Sequence, residues 1–291
     1  MEKKKGDNSQ MGYSLFDETM VDMSWPGIEK SARQGAIVLL PVGIIEEHGP
    51  HMGLAVDTCV ACLLAKMARK ELESRKIKTL IAPPYYWGIS SGTSTFAGTF
   101  SVRKETMKAL IYDILASLKG WGLNRVFTVN WHADYDHVMT LLETVKEARI
   151  NTGIEACSIL TDFDVRRFRL TGREDHIIVR KMPPPQQPPP QYVDIHAGSL
   201  ETGIMMKYFP DQVDAELART LKRTELSYRD LKVLGSGTSD EIRKQIPGGY
   251  FGDPASYDVE AAERFIEGNA LDIANLIESF LKGSYRPPEV E

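Results

Sequence analysis

Residues 36–51 read Ala-Ile-Val-Leu-Leu-Pro-Val-Gly-Ile-Ile-Glu-Glu-His-Gly-Pro-His, and the reading of this stretch decides the fold. From Ala36 to Val42 the run is apolar without polar alternation, the pattern of a strand buried on both faces. Glu46, Glu47, His48 and His51 follow at once, and Asp57 stands six residues beyond His51. Gly49 and Pro50 separate the two histidines and exclude a helical metal motif, so these groups project from a loop at a strand end. Carboxylate oxygens and imidazole nitrogens together suit a divalent metal such as zinc or manganese. The stretch therefore predicts a metallohydrolase built on an α/β sheet.

Working outward, strand and helix signals alternate. Ala36–Val42, Thr79–Ala82, Arg125–Val129 and Ala156–Leu160 read as short strands. Val60–Arg75, Lys104–Lys119 and Tyr135–Ala148 carry helical spacing between them, with Leu110, Ile114, Leu115 and Leu118 on one face of the second. Further helices are predicted over Leu200–Tyr208 and Val259–Leu281. Such alternation predicts a mostly parallel central sheet flanked by helices, a three-layer α/β architecture. The expected organisation is a polar tail over residues 1–20 and one catalytic domain over 21–285. The break in composition at 182–191, rich in proline and glutamine, reads as a surface loop bordering the site.

Composition narrows the function classes. Of 291 residues, 42% are hydrophobic and 26% charged, which is ordinary for a globular protein with a sizeable core. A formal net charge of −5 argues against nucleic acid as partner. The run Ala36–Ile45 is too short to span a bilayer, and the lysine-rich start lacks the apolar stretch of a signal peptide. Cys59, Cys62 and Cys157 make no disulfide framework, which fits a cytoplasmic protein. Cys59 and Cys62 lie in a helical stretch without a second cysteine pair, so they read as buried helix residues.

Two further clusters carry chemistry: Asn130-Trp131-His132-Ala133-Asp134 directly after the strand at 125–129, and Asp194-Ile195-His196-Ala197-Gly198-Ser199-Leu200-Glu201-Thr202 leading into a helix. In open parallel sheets ligands bind beyond the carboxyl ends of the strands, so distant clusters can converge in one crevice.

With these clusters in view the chain resembles the creatininase family. The resemblance rests on Pro41-Val42-Gly43, then Glu46-x-His48-Gly49-Pro50-His51 and Asp57. It continues through Asn130-x-His132 with Asp134, and His196-Ala197-Gly198-x-x-Glu201-Thr202. Gly88-Ile89-Ser90, Phe96-x-Gly98-Thr99 and Gly252-Asp253-Pro254 match further family signatures. The resemblance implies two divalent metal ions per chain, zinc or manganese with iron as a further option. Glu46 and His48 would bind one each, Asp57 would bridge them, and His132 and Asp134 would complete the spheres. His196 would be the catalytic histidine with Glu201 beside it, while Ser90 and Tyr192 would face the substrate. Glu47 and His51 would support the ligands from behind.

The resemblance further implies a closed homo-oligomer, a hexamer by family, acting on a small polar cyclic substrate, with hydrolysis of a cyclic amide as the first reading. Where many relatives carry a substrate-loop histidine, this chain has Ser91-Gly92-Thr93-Ser94-Thr95. A hydroxyl-rich loop also suits a polyol ring, so ring opening next to a ketone in an oxidised inositol is a second reading. Formamide hydrolysis and a non-catalytic metal-bound scaffold are further alternatives.

Overall fold

The computed structural model describes residues 14–182 and 192–289. The elements run α1 (Trp25–Arg33), β1 (Ile37–Val42), α2 (Val56–Ser74), β2 (Thr79–Ile81), α3 (Lys104–Gly120), β3 (Arg125–Asn130), α4 (Tyr135–Thr152), β4 (Glu155–Thr161), α5 (Asp162–Arg167), β5 (Ile177–Arg180), α6 (Ser199–Tyr208), α7 (Ala215–Thr220), α8 (Leu231–Ser236), α9 (Ser239–Gln245) and α10 (Val259–Leu281). The strands form one sheet in the order β2-β1-β3-β4-β5, and every pairing is parallel. The proline-rich run at 183–191, expected to border the site, lies outside the described residues.

All six residues of β1 are buried, because this central strand has a helical layer on each face. Its side chains alternate as the pleat requires. Ile37 and Leu39 join the core formed with α2, α6 and α10, where Val60, Ile204 and Ile266 meet. Val38, Leu40 and Val42 join the opposite core with α3 and α4, where Ile111, Leu115 and Leu141 meet. Each such fully buried aliphatic side chain contributes about 1.5–3 kcal/mol relative to exposure.

The strand order has one functional consequence. From β1 the chain crosses to β2 on one side, and the next strand, β3, returns to pair with β1 on the other. The gap between the carboxyl ends of β1 and β3 is thus the switch point at which open sheets bind ligands. Val42 pairs with Asn130 there, setting the loop that holds Glu46 and His48 beside the loop that holds His132.

Candidate metal centre

Four segments deliver the polar residues. The loop after β1 brings Glu46 and His48, fixed by Glu46 N–H donating to Leu54 O at 3.0 Å. Asp57 sits in the first turn of α2, where the helix dipole favours a carboxylate. His132 follows β3 by two residues, and Glu201 occupies the first turn of α6. The start of α2 lies close against the β1 loop: a Cβ on Gly43 would come within 2.8 Å of Thr58 N and 2.9 Å of the Asp57 carbonyl carbon.

The side chains meet as two triads that share one carboxylate. His132 Nδ1 lies 3.2 Å from Glu46 Oε1 and 3.0 Å from Asp57 Oδ2. His48 Nε2 lies 3.5 Å from Asp57 Oδ1 and 3.7 Å from Glu201 Oε2. Within each triad the potential ligand atoms fall within 4.8 Å of one another, as they also do in a third grouping of Glu46, His48 and His196. Asp57 therefore turns one oxygen to each triad.

Backbone carbonyls fix which ring nitrogen faces inward. A carbonyl oxygen only accepts, so the nitrogen against it must carry the hydrogen. His132 Nε2–H donates to Ile89 O at 2.9 Å, His48 Nδ1–H to Glu46 O at 3.2 Å, and His196 Nε2–H to Glu47 O at 3.0 Å. The opposite nitrogen of each ring points at the carboxylates. His48 Nε2 and Asp57 Oδ2 are buried with no hydrogen-bond partner. Unpartnered buried polar atoms are costly, and a cation coordinated by them removes that cost. The donor set of mixed oxygen and nitrogen ligands fits zinc or manganese.

The charges agree with this arrangement. Burial alone would lower His48, but the adjacent Asp57 carboxylate, with the charges of Glu201 and Glu46, raises it to about 10. Burial opposes the charge on His132 too, and Glu46 and Asp57 hold it well above the ordinary histidine value. Against burial, the His132 and His48 rings beside it keep Asp57 well below the usual carboxylate range. Three acids at the sheet end, Glu46, Asp57 and Glu201, thus draw positive charge into the site.

A second layer of residues orients these groups. Thr93 Oγ1–H donates to Glu46 Oε2, and the Ser90 and Thr93 hydroxyls meet at 2.6 Å. The hydroxyl-rich loop thus spends part of its polarity on a ligand, which the sequence reading assigned to substrate. Trp131 Nε1–H donates to Glu201 Oε1 at 3.0 Å, and Ala197 N–H donates to Oε2 at 2.7 Å. Ala197 holds a left-handed φ of 50° to do so, a strained conformation for a residue with a Cβ. His51 is buried, with Nε2 2.9 Å from Thr202 Oγ1 on α6.

His137 is fully buried. Its Nδ1 accepts from Ile89 N–H at 3.3 Å and its Nε2–H donates to Asn130 Oδ1 at 3.1 Å. It thereby holds both the residue whose carbonyl orients His132 and the asparagine that donates to His132 O. Burial, then the charge of His132, drives His137 well below the ordinary value, so it is neutral. A histidine at the start of an amphipathic helix gives no sign in sequence of facing inward.

Asp134 departs from its expected place among the metal ligands. Its Oδ1 accepts from His137 N–H at 3.1 Å, capping α4, and its Oδ2 accepts from Ser91 N–H at 2.9 Å. Among the described residues no potential ligand group includes it, whereas Glu201 lies in one. Tyr192, expected over the substrate, instead directs its hydroxyl to Asp253 Oδ2 at 3.4 Å with Arg223 stacked on its ring. Asp194 accepts from Ser199 N–H at 2.9 Å and so caps α6. Glu47 Oε2 accepts from Gly49 N–H at 3.0 Å, while Oε1 lies 3.5 Å from His196 Nε2. Cys59, Cys62 and Cys157 are free and buried, the first two on α2 as expected.

A cavity of about 650 Å³ opens above these residues, with Glu46, Asp57, His132, His196 and Glu201 in its wall and Ser90 beside them. Trp131 and Phe265 form a further side, their rings edge to face with centroids 6.3 Å apart.

Comparisons with known proteins accord with this geometry. The family model for creatininase, creatinine amidohydrolase, matches residues 21–277. The creatinine amidohydrolase of Pseudomonas putida is 26% identical over 224 residues, 71% of this chain and 76% of its own. A mycofactocin precursor peptide peptidase of Mycolicibacterium smegmatis is 25% identical over 232 residues, 78% of each chain. A solved manganese form of creatininase superposes with a TM-score of 0.68 at 21% identity, over 90% of this chain and 98% of its own. A mutant creatininase of Zn–Zn type gives 0.68 at 22%, over 92% and 99%. These structural likenesses establish the fold.

Proposed function

The chain belongs to the creatininase family, and from that membership we propose that it hydrolyses an amide bond at a centre of two divalent metal ions. As a family member it is a hydrolase. The finer reading is a small polar cyclic amide, the type of bond named for the Pseudomonas relative. The observation that carries the proposal is the pair of triads sharing Asp57, in which His48 Nε2 and Asp57 Oδ2 are buried without protein partners. Glu46, Asp57 and His132 would hold one ion; His48, Asp57 and Glu201 would hold the other. Glu201 takes the place that the sequence resemblance gave to Asp134.

Bound there, the pair of ions would lower the pKa of a shared water and supply hydroxide near neutral pH. The residues of the chain do the rest. Trp131 and the Ala197 amide keep Glu201 aimed at His48, and Thr93 keeps Glu46 aimed at His132. His196 holds one proton at Nε2 against the Glu47 carbonyl. That leaves Nδ1, 3.8 Å from Glu46 Oε1, to take a proton and deliver it to the leaving nitrogen. A second reading, a linear peptide amide, is favoured by the cavity of about 650 Å³, more room than a compact lactam ring fills.

The test is metal analysis joined to turnover. Two metals per chain are expected in the wild type, and Asp57→Asn should lose both, because the triads share that side chain. Ring opening of lactams and cleavage of short peptide amides, followed by NMR in the metal-loaded protein, should be abolished by His196→Ala. Turnover of polyol ketones with none of amides would overturn the amide reading in favour of carbon–carbon cleavage.

A further inference from the structure

The wall of the cavity away from the metal centre is cationic. Arg180, the last residue of β5, lines it with a side chain only 11% exposed. Its nearest ion-pair partner is Asp272, whose Oδ2 lies 3.7 Å from Nη1, beyond hydrogen-bonding distance. Arg167 at the end of α5 and Lys232 on α8 line the same region. Arg167 forms no ion pair among the described residues; its guanidinium lies 5.1 Å from the Phe168 ring centroid. Asp136 also lines the cavity, without an ion pair among the described residues, while Asp164 and Asp162 are engaged elsewhere. Asp164 accepts from Thr161 N–H at 3.1 Å and from its hydroxyl at 2.6 Å, and Asp162 accepts from Met182 N–H at 2.9 Å and from Arg166. An adjoining cavity of about 490 Å³ continues outward between Phe163, Arg166, Arg167, Tyr228 and Lys232, with no acid in its lining among the described residues.

The sheet sets the distance between the two ends. The metal ligands follow β1 and β3, and Arg180 ends β5, two strand positions from β3. At about 4.8 Å per strand that separation is roughly 10 Å from β3 and roughly 12 Å from the gap between β1 and β3. We infer that the substrate is an amide bearing a carboxylate about 10–12 Å from its scissile carbonyl, with Arg180 and Arg167 recognising the carboxylate across the cavity. The inference rests on the metal-centred amidase reading and adds the second anchor. Guanidinium suits the role because its planar fork matches a carboxylate and stays charged when desolvated. Burial depresses the Arg180 pKa in spite of Asp272 and Asp164, consistent with a cation whose compensation is incomplete.

The experiment uses the zinc-loaded protein and probes that need no turnover. A series of α,ω-dicarboxylic acid monohydroxamates, with spacers shorter than, equal to and longer than this separation, is titrated calorimetrically beside matched terminal carboxamides. Acetohydroxamate, which reaches only the metals, serves as reference. The acid of matching length should bind about tenfold or more tightly than its carboxamide, since a buried charged hydrogen bond is at stake. Arg167→Gln and Arg180→Gln should each erase most of that advantage while zinc content and acetohydroxamate affinity hold. Arg167 is exposed, so its variant keeps the test decisive if Arg180→Gln misfolds. Equal affinity of acid and carboxamide at every length overturns the inference. So does an advantage that survives both substitutions, since the carboxylate is then held elsewhere. If acetohydroxamate itself fails to bind, the metal reading is what has failed, and the inference falls with it.

Discussion

His48 is fully buried, donates one ring hydrogen to the Glu46 carbonyl and turns Nε2 toward Asp57 and Glu201. Without a cation, a proton is what can satisfy those carboxylates, and Asp57 with its neighbours outweighs burial to raise His48 to about 10. His132 is raised well above the ordinary value by the same balance. A raised folded-state pKa stabilises the metal-free fold fully below the unfolded value near 6.5, and that contribution is lost as pH rises through about 10. Metal needs the deprotonated rings, so proton and cation compete. Loading zinc at pH 7 should therefore release roughly two protons, and apparent affinity should fall as pH is lowered. Calorimetry in buffers of different ionisation enthalpy reads the number directly; a heat independent of buffer would contradict it. At this scale the sequence was informative about identity and less so about partnership. Glu46, His48, Asp57 and His132 converge as their spacing suggested. Glu201 joins a triad and Asp134 does not, because an aspartate directly before a helix finds the N-cap amides of α4 nearer than the triads.

At the scale of elements, the contact between the β1 loop and the start of α2 decides whether Asp57 reaches both triads. Gly43 permits that approach, and what a methyl there would meet is backbone, which cannot rotate away. Gly43→Ala should force α2 outward, lowering stability by about 1–3 kcal/mol, as overpacking does. It should also reduce metal content below two per chain. Denaturant unfolding with metal analysis on the same sample checks both, and retention of full metal with unchanged stability would show the loop free to shift. The central strands and long helices were legible because burial on both faces writes continuous apolar runs and helix faces write a 3.6-residue period. β5 was not. Ile177–Arg180 is four residues long beside a charged stretch, too short to show a period. The first turn of α2 was also missed, since Val56–Cys59 follows a glycine-rich loop and its Asp57 reads as a ligand before it reads as helix.

Over the whole molecule, the centre ties segments far apart in the chain: the loop after β1, α2, the loop after β3 and α6. Closing such long loops by a shared ion would add to stability, because the unfolded chain has no preformed site. The sequence shows that these segments carry residues of ligand type but not that they surround a cavity, since the far wall comes from α5, β5 and α8, whose short stretches lack a motif. Stripping the metals leaves Glu46, Asp57 and Glu201 crowded with only protonated histidines between them. Saturating metal at a hundredfold over its dissociation constant stabilises by about 2.7 kcal/mol, so chelation should lower the melting temperature by about 5 °C or more. The loss should reverse on adding zinc or manganese, and Asp57→Asn should melt near the chelated wild type with little response to either. A melting temperature unmoved by complete, verified removal of metal would mean that packing of the two cores alone sets the triads. Proton release in calorimetry would then report occupancy without any structural role for the ions.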